Sequence, residues 1–530
     1  MISADKYKEK CDILANENVE LKSQIEQLSE RVNSLNAQIK WFQKQIFGSK
    51  SERRIEDVPK EQLWLGEQFQ QETAEAETQT VAAHERKKRK TESVDGDKQN
   101  LFFDETVPVE EIKIANPEVE GLSENEYEVV SQKTTYRLAQ RPGAYVILKY
   151  IRDVIKIKNA DKKAVKMSCP AVKDSVFDKC HADVSFLVGL LIDKFQYHLP
   201  LYRQHLRLES AGIKVSRAWL TQLVHRCGDL LEPVYLSHLD WIRKSRVKLM
   251  DETPIKAGRE KKGKMRDAYF WPVMAGDKDI VFLFFESREH RHVFEALGTK
   301  PEENSVVVSD GYGAYAAYAK ATNTFNGQCW THARREFLKA EESEPEKVKE
   351  ALELMRPLWK VEKEIREQGL EGEAKRLYRI EHSKPLVDAF FKWVDEQQKS
   401  GLFLPKNPFS KALQYANKRE EMLRLFITDS EVPLDTNDLE RALRVIPMGR
   451  KNWMFCWTEI GAKYVGIIQS LIATCKMRGI DPYTYLVDIL QRVSEHPKTE
   501  IEKLTPRLWE QNFASNPLRS DLDFVVSASR

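Results

Sequence analysis

Between residues 247 and 329, short apolar runs and helical pattern follow one another in an order that few folds accommodate. Lys248 to Thr253, Asp267 to Met274 and Ile280 to Ser287 each read as a strand, His290 to Leu297 as a helix, and Ser305 to Ser309 as a fourth strand. A short helix at Ala314 to Ala321, a strand near Thr324 to Cys329 and a helix opening at His332 come next.

This is the order of a ribonuclease-H-like sheet, in which the first and fourth strands are neighbours. Asp251 follows the strand-like run Val247 to Met250, in Leu-Met-Asp-Glu-Thr, and Asp310 follows Val306 to Ser309, in Val-Val-Val-Ser-Asp-Gly-Tyr, so the two carboxylates are expected to meet at adjacent strand ends. Charged, helix-forming sequence from about 341 to 430 interrupts the pattern and reads as a helical insertion. The chain then returns at Asn437 to Arg444, a predicted helix with candidate caps Asp435 and Thr436 that carries Glu440. The spacings, 59 residues from Asp251 to Asp310 and 130 from Asp310 to Glu440, agree with one sheet plus one insertion. Three carboxylates in a partly dry site repel one another, and the usual remedy is Mg²⁺ or Mn²⁺, which prefer oxygen ligands. Two such ions about 4 Å apart would activate a nucleophilic oxygen and stabilise the leaving oxygen of a phosphodiester. Asp438 and Glu252 are the competing assignments beside Glu440 and Asp251, and a glutamate next to arginines also reads as a surface ion pair.

A chain of 530 residues with 41% hydrophobic content has room for several cored domains. No window approaches the roughly 18 apolar residues of a membrane span, so a soluble, cytoplasmic protein is expected, with no membrane partner. Cysteines at 11, 169, 180, 227, 329, 456 and 475 form no closely spaced framework and no CxxC pair, which argues against disulfides. A net charge of +2 gives no global sign of nucleic-acid binding, so local patches must carry that argument.

Such patches exist. Lys256, Arg259, Lys261, Lys262, Lys264 and Arg266 stand against one acid, Glu260, in a predicted hairpin between the first two strands, where phosphate contact competes with an ordinary solvated hairpin. Arg441, Arg444, Arg450 and Lys451, followed by Trp453, suit backbone phosphates and base stacking. His332, Arg334 and Arg335 open a helix near the same face, where they could orient a phosphate; a core histidine is the alternative.

The remaining chain divides as follows. Residues 1–46 carry Leu14, Leu21, Leu28 and Leu35 at heptad spacing, with Asn18, Ile25, Val32 and Ile39 at the complementary position, which predicts a parallel dimeric coiled coil or else a single amphipathic helix. Residues 47–100 are a polar linker with the basic run Arg86 to Lys90. Residues 101–165 alternate as a small β-rich module, and 166–245 read as a helical, helix-turn-helix-like region whose second helix opens at Arg217, a candidate DNA contact. A core domain in two parts, 246–340 and 431–495, flanks the insertion at 341–430, and 496–530 read as a C-terminal tail. The fold class is multidomain α/β.

Six segments resemble the transposases of insertion sequence 66, in the DDE superfamily. They are Phe47 to Arg53 (Phe-Gly-Ser-Lys-Ser-Glu-Arg), His198 to Gln204 (His-Leu-Pro-Leu-Tyr-Arg-Gln), Asp251 to Pro254, Asp310 to Tyr312, Cys329 to Arg335 (Cys-Trp-Thr-His-Ala-Arg-Arg) and Gly449 to Phe455. The resemblance spans most of the chain and implies that Asp251, Asp310 and Glu440 are the metal-binding catalytic carboxylates. It also implies transposon-end and target DNA as partners, a homodimer or higher oligomer, and small accessory proteins of the same element. The family usually has cysteine pairs of a zinc module between the coiled coil and the catalytic domain. Residues 48 to 167 here have none, so zinc is not expected. The function expected is hydrolysis at transposon ends with transfer of the 3′ hydroxyl to target DNA; a metal-dependent nuclease without joining activity, or a non-catalytic DNA-binding regulator, are the alternatives.

Overall fold

The computed structural model describes residues 101–523 except 121–125, 142, 159–163, 173–174, 179, 262, 277, 401–402, 404 and 455. The expected coiled coil with Leu14 to Ile39, the basic linker, Lys262 and residues 524–530 lie outside the described residues.

After β1 (Phe102–Phe103), which lies outside it, alternating apolar and polar residues build a four-stranded sheet from β2 (Val109–Ile114), β3 (Tyr127–Arg141), β4 (Ala144–Lys158) and β5 (Ala164–Ser168). β4 is central, antiparallel to β3 along its length, parallel to β2 over its first half and antiparallel to β5 at its end. Val146, Leu148 and Tyr150 pack with Leu522 on one face, while Tyr145 and Ile147 enter the main core on the other.

Asp183 caps α1 (Val184–Phe195) by accepting the Ser185 N–H at 2.9 Å. After α2 (Leu201–Ser210) the chain turns at Gly212, whose φ of +81° suits glycine, into β6 (Ile213–Lys214), which pairs with β1. Ser216 then caps α3 (Arg217–Lys244). The helix, turn and capped helix expected here are present, but the second helix runs on for 28 residues and buries Leu220, Leu223, Leu231 and Leu239 in the main core. It is a structural spine, with Arg217 exposed at its start.

The second sheet comprises β7 (Val247–Met250), β8 (Thr253–Lys261), β9 (Lys264–Ala275), β10 (Ile280–Phe285), β11 (Val306–Ser309) and β12 (Phe325–Gln328), in the order β10-β9-β7-β11-β12. β7, β11 and β12 are parallel; β9 runs antiparallel to them, and β10, antiparallel to β9, shares their direction. The single strand expected over Lys248 to Thr253 is two strands laid along β9, because the chain breaks at Asp251 and Glu252, whose carboxylates leave the apolar ladder. Helices α4 (Arg291–Leu297), α5 (Gly313–Thr322) and α6 (Trp330–Leu338) complete this part.

The insertion consists of α7 (Pro345–Glu367), α8 (Gly372–Lys399), α9 (Pro408–Asn417) and α10 (Glu420–Thr428). Arg379 of α8 is fully buried and organises it. Its guanidinium binds both oxygens of Glu362 at 2.8 Å and donates to the carbonyls of Phe426, Asp429 and Val432 at 2.8, 3.1 and 2.9 Å. Arg246, just before β7, chelates Asp429 through two 2.8 Å bonds, tying the insertion's exit to the sheet.

The chain closes with α11 (Asn437–Leu443), α12 (Val445–Trp453), α13 (Glu459–Arg478), α14 (Pro482–Arg492), a 3₁₀ turn over Lys498–Leu504 and α15 (Pro506–Asn512). α13 covers the edge of β10 with hydroxyls. Ser470 accepts the Phe282 N–H at 2.8 Å, and Thr474 bonds both the N–H and the carbonyl of Ile280. The segment read as a tail is packed: Trp509 donates to the buried Asp488 at 2.7 Å, and Tyr150 donates to Asp521 at 2.7 Å.

Candidate active site

Parallel pairing of β7 with β11, with Val247 opposite Val306 and Leu249 opposite Val308, brings two strand ends together. Asp251 and Asp310 each lie one residue beyond. Glu440 reaches the same place by a different route. The Trp330 N–H bonds the Leu434 carbonyl at 3.1 Å, and the buried Cys329 sulfur accepts both the N–H and the hydroxyl of Thr436 at 3.3 Å. Asp435, just ahead of α11, accepts the Asn437 N–H at 3.0 Å and the Trp359 indole N–H of the insertion at 2.6 Å. The helix carrying Glu440 is thus fixed both to the end of β12 and to α7.

The three carboxylates share one electrostatic environment. Burial pushes Asp251 up to about 7, against the bond its carboxylate accepts from the Glu252 N–H at 2.7 Å; the neighbouring charges of Glu252, Asp310 and Glu440 add to the rise. Glu252 is also pushed up by burial, but its oxygens are engaged, one by Arg288 and the other by the Tyr315 hydroxyl at 2.6 Å. Glu440 is held by Arg335, and His332 Nε2 stands 3.6 Å from its Oε1, which is buried without a hydrogen-bond donor. Burial lowers the His332 pKa, so the ring is neutral at pH 7, with its buried Nδ1 unpartnered.

Among the described residues no three His, Cys, Asp or Glu side chains converge closely enough to enclose an ion. The donor set nevertheless fits a hard cation. It is all oxygen, it carries negative charge that burial makes costly, and Glu440 Oε1 accepts no hydrogen bond.

Asp438 is not part of this group: it points outward, 68% exposed, and pairs with Arg441 at 3.0 Å, which takes Arg441 to the same outer face. In the β8–β9 hairpin, Lys256 pairs with Asp267 at 2.5 Å, Lys264 with Glu260 at 2.8 Å and Arg266 with Glu459 at 2.7 Å. Arg259 and Lys261 are exposed and, among the described residues, make no ion pair, as do Arg334, Arg444 and Lys451. Arg450 donates to the Pro254 carbonyl, and Arg335 to Glu440. Trp453 is half-buried: its ring lies over Gly449, where a β-carbon would come within 2.5 Å of the indole, and one side of it packs on the core. Arg217 stands over the Tyr202 ring at 5.7 Å, at the far end of α3 from β7.

Arg288, Tyr312 and Tyr315 escaped the sequence reading. Arg288 lies over the Tyr312 ring at 4.3 Å, and the Tyr312 hydroxyl donates to the Arg288 carbonyl at 2.8 Å, so these residues wall one side of the carboxylates. Tyr312 and Tyr315 follow Asp310 closely, which is the one local signal available.

Residues 179–464 match the family described as Transposase IS66 family, and residues 470–507 match its IS66 C-terminal element. Residues 34–112 match a segment described as Transposase C of IS166 homeodomain. Three uncharacterised proteins of Sinorhizobium fredii are similar. y4jD is 25% identical over 93% of this chain and 97% of its own length. y4hP and y4qI are 28% and 30% identical over 62% and 60% of this chain, and the match spans only 63% and 61% of their own lengths. No helix among the described residues is long and apolar enough to cross a membrane. With more than half its length inside the family match, and with two strand-end aspartates and a helical glutamate in one charged site, the chain belongs to the IS66 transposase family.

Proposed function

We propose that this chain is a DNA transposase that hydrolyses phosphodiesters at transposon ends and joins the freed 3′ hydroxyl to target DNA, with Asp251, Asp310 and Glu440 as its catalytic carboxylates. The observation that carries the reading is that Asp251 and Asp310 follow adjacent parallel strands and that the charges of Asp310 and Glu440, from two distant segments, both act on Asp251. The strand order, with β7 between β9 and β11, supports a ribonuclease-H-like core.

The three carboxylates would hold Mg²⁺ or Mn²⁺, two ions in the fullest form, which when bound activate the attacking oxygen and stabilise the leaving one. Glu252 stays outside that set, because Arg288 and Tyr315 occupy its oxygens; its role is to hold the wall of the site in place. Arg259, Lys261, Arg444 and Lys451 offer exposed charge to backbone phosphates, which position DNA without reading its sequence. Two ends must be held together, so a homodimer or higher oligomer and accessory proteins of the same element belong to this reading.

The test is a cleavage and strand-transfer assay on end DNA with Mg²⁺ or Mn²⁺, comparing wild type with Asp251→Asn, Asp310→Asn and Glu440→Gln. Metal-dependent 3′-end joining lost in each variant, with DNA binding retained, is the expected result. Cleavage without joining by the wild type would leave a nuclease instead.

A further inference from the structure

We infer that Tyr415 and Arg419, both in the helical insertion, are positioning residues for Asp310 that act through the main chain at the end of β11; the inference rests on the reading of Asp310 as a catalytic ligand. Tyr415 lies on α9, and its hydroxyl donates to the Asp310 carbonyl at 2.8 Å. Arg419, at the start of α10, donates from Nη2 to the Gly311 carbonyl at 3.3 Å. The two side chains brace each other, since the Arg419 guanidinium lies 3.9 Å from the centre of the Tyr415 ring and its Nη1 reaches the Tyr415 carbonyl at 3.4 Å.

The backbone they grip is conformationally special. Gly311 has φ +92°, and a β-carbon there would come within 2.7 Å of both Arg419 Nε and Gln328 Oε1. The turn is therefore one that glycine adopts freely, packed so closely that only glycine fits. The Asp310 carboxylate folds back on the same turn, accepting the Tyr312 N–H at 2.9 Å. Carbonyl, turn and carboxylate form one rigid unit, and two of its fixing bonds come from residues more than 100 positions away in sequence. Groups that support a metal ligand from behind commonly govern metal affinity or activity by about 10- to 100-fold. The insertion is thereby part of the catalytic apparatus, because it sets where Asp310 points.

The test uses the full chain with Tyr415→Phe, which keeps the ring and removes the hydroxyl, and Arg419→Met, with Asp310→Asn for reference. Mn²⁺ binding to the protein without DNA, the Mg²⁺ concentration giving half-maximal end cleavage, end-DNA affinity and thermal midpoint are measured on each. Positioning predicts that Tyr415→Phe weakens Mn²⁺ binding and raises the Mg²⁺ midpoint by about 10-fold, with DNA affinity and thermal midpoint unchanged and the rate recovering at high metal. A Tyr415→Phe protein with wild-type metal dependence overturns the inference, as does activity that falls only in step with the thermal midpoint. Mn²⁺ binding that survives Asp310→Asn overturns the ligand reading itself, and the inference with it. If Arg419→Met does not fold, Tyr415→Phe alone decides.

Discussion

Replacing Asp251 by asparagine should stabilise the protein while abolishing its chemistry, and the size of the gain follows from the site. Burial and three neighbouring carboxylates raise this carboxyl from an ordinary 3.8 to about 7. In the unfolded chain it ionises near pH 4, so between about pH 4 and 7 the folded state binds the extra proton and stability falls as pH rises. Below that window the cost is absent; above pH 7 it is constant. At about 1.4 kcal/mol per pH unit the ceiling is about 4 kcal/mol, and partial solvent contact at the strand end lowers the expectation to about 2 kcal/mol. The assay is thermal or denaturant unfolding of wild type and Asp251→Asn in chelator, from pH 5 to pH 8.5. The variant should exceed the wild type by a margin that widens up to pH 7 and then holds. Saturating Mg²⁺ should close the gap by stabilising only the wild type. Parallel curves for the two proteins across this range would refute the argument, since they would mean that Asp251 is well solvated and feels neither Asp310 nor Glu440.

Arg379→Met should destabilise the insertion by about 3–5 kcal/mol, because Glu362 and three carbonyls lose their buried partner; adding Glu362→Leu should recover part of that loss in the same unfolding measurement. Asp438→Ala should leave end cleavage intact where Glu440→Gln removes it, and the reverse result would move the third carboxylate to Asp438. Arg259→Ala with Lys261→Ala should weaken binding to any DNA sequence alike and reduce the slope of log affinity against log salt by about 0.9 for each phosphate no longer neutralised, read from a salt titration of duplex binding.

The parts of this molecule legible in its sequence are those governed by local pattern. Apolar runs followed by acids located β7 and β11 and the two aspartates, and the polar pair Asp435 and Thr436 located the start of α11. What stayed hidden depends on partners far away in the chain. Nothing near Glu252 announces that Arg288 and Tyr315 will take its oxygens, and nothing near Cys329 announces a thiol accepting two bonds from Thr436. The lean of the Trp453 ring onto its own helix was equally hidden, because it depends on the absent side chain of Gly449, one helical turn earlier. Lys248, in the middle of a run that reads as strand, is buried completely and bonds Ser305 across the sheet, an arrangement the pattern did not suggest.

The pairing of Tyr150 with Asp521 has a consequence for the order of synthesis. Leu522 completes the small cluster of Ala139, Val146, Leu148 and Tyr150, and the hydrogen-bonded partners are 371 residues apart. At about 5–20 residues per second, the ribosome needs on the order of half a minute to deliver the second partner after the first. The β module is thus among the first described parts to emerge and among the last to be finished. Throughout that interval the nascent chain carries the sheet without its closing residues, with the apolar face that Leu522 will cover still open to water.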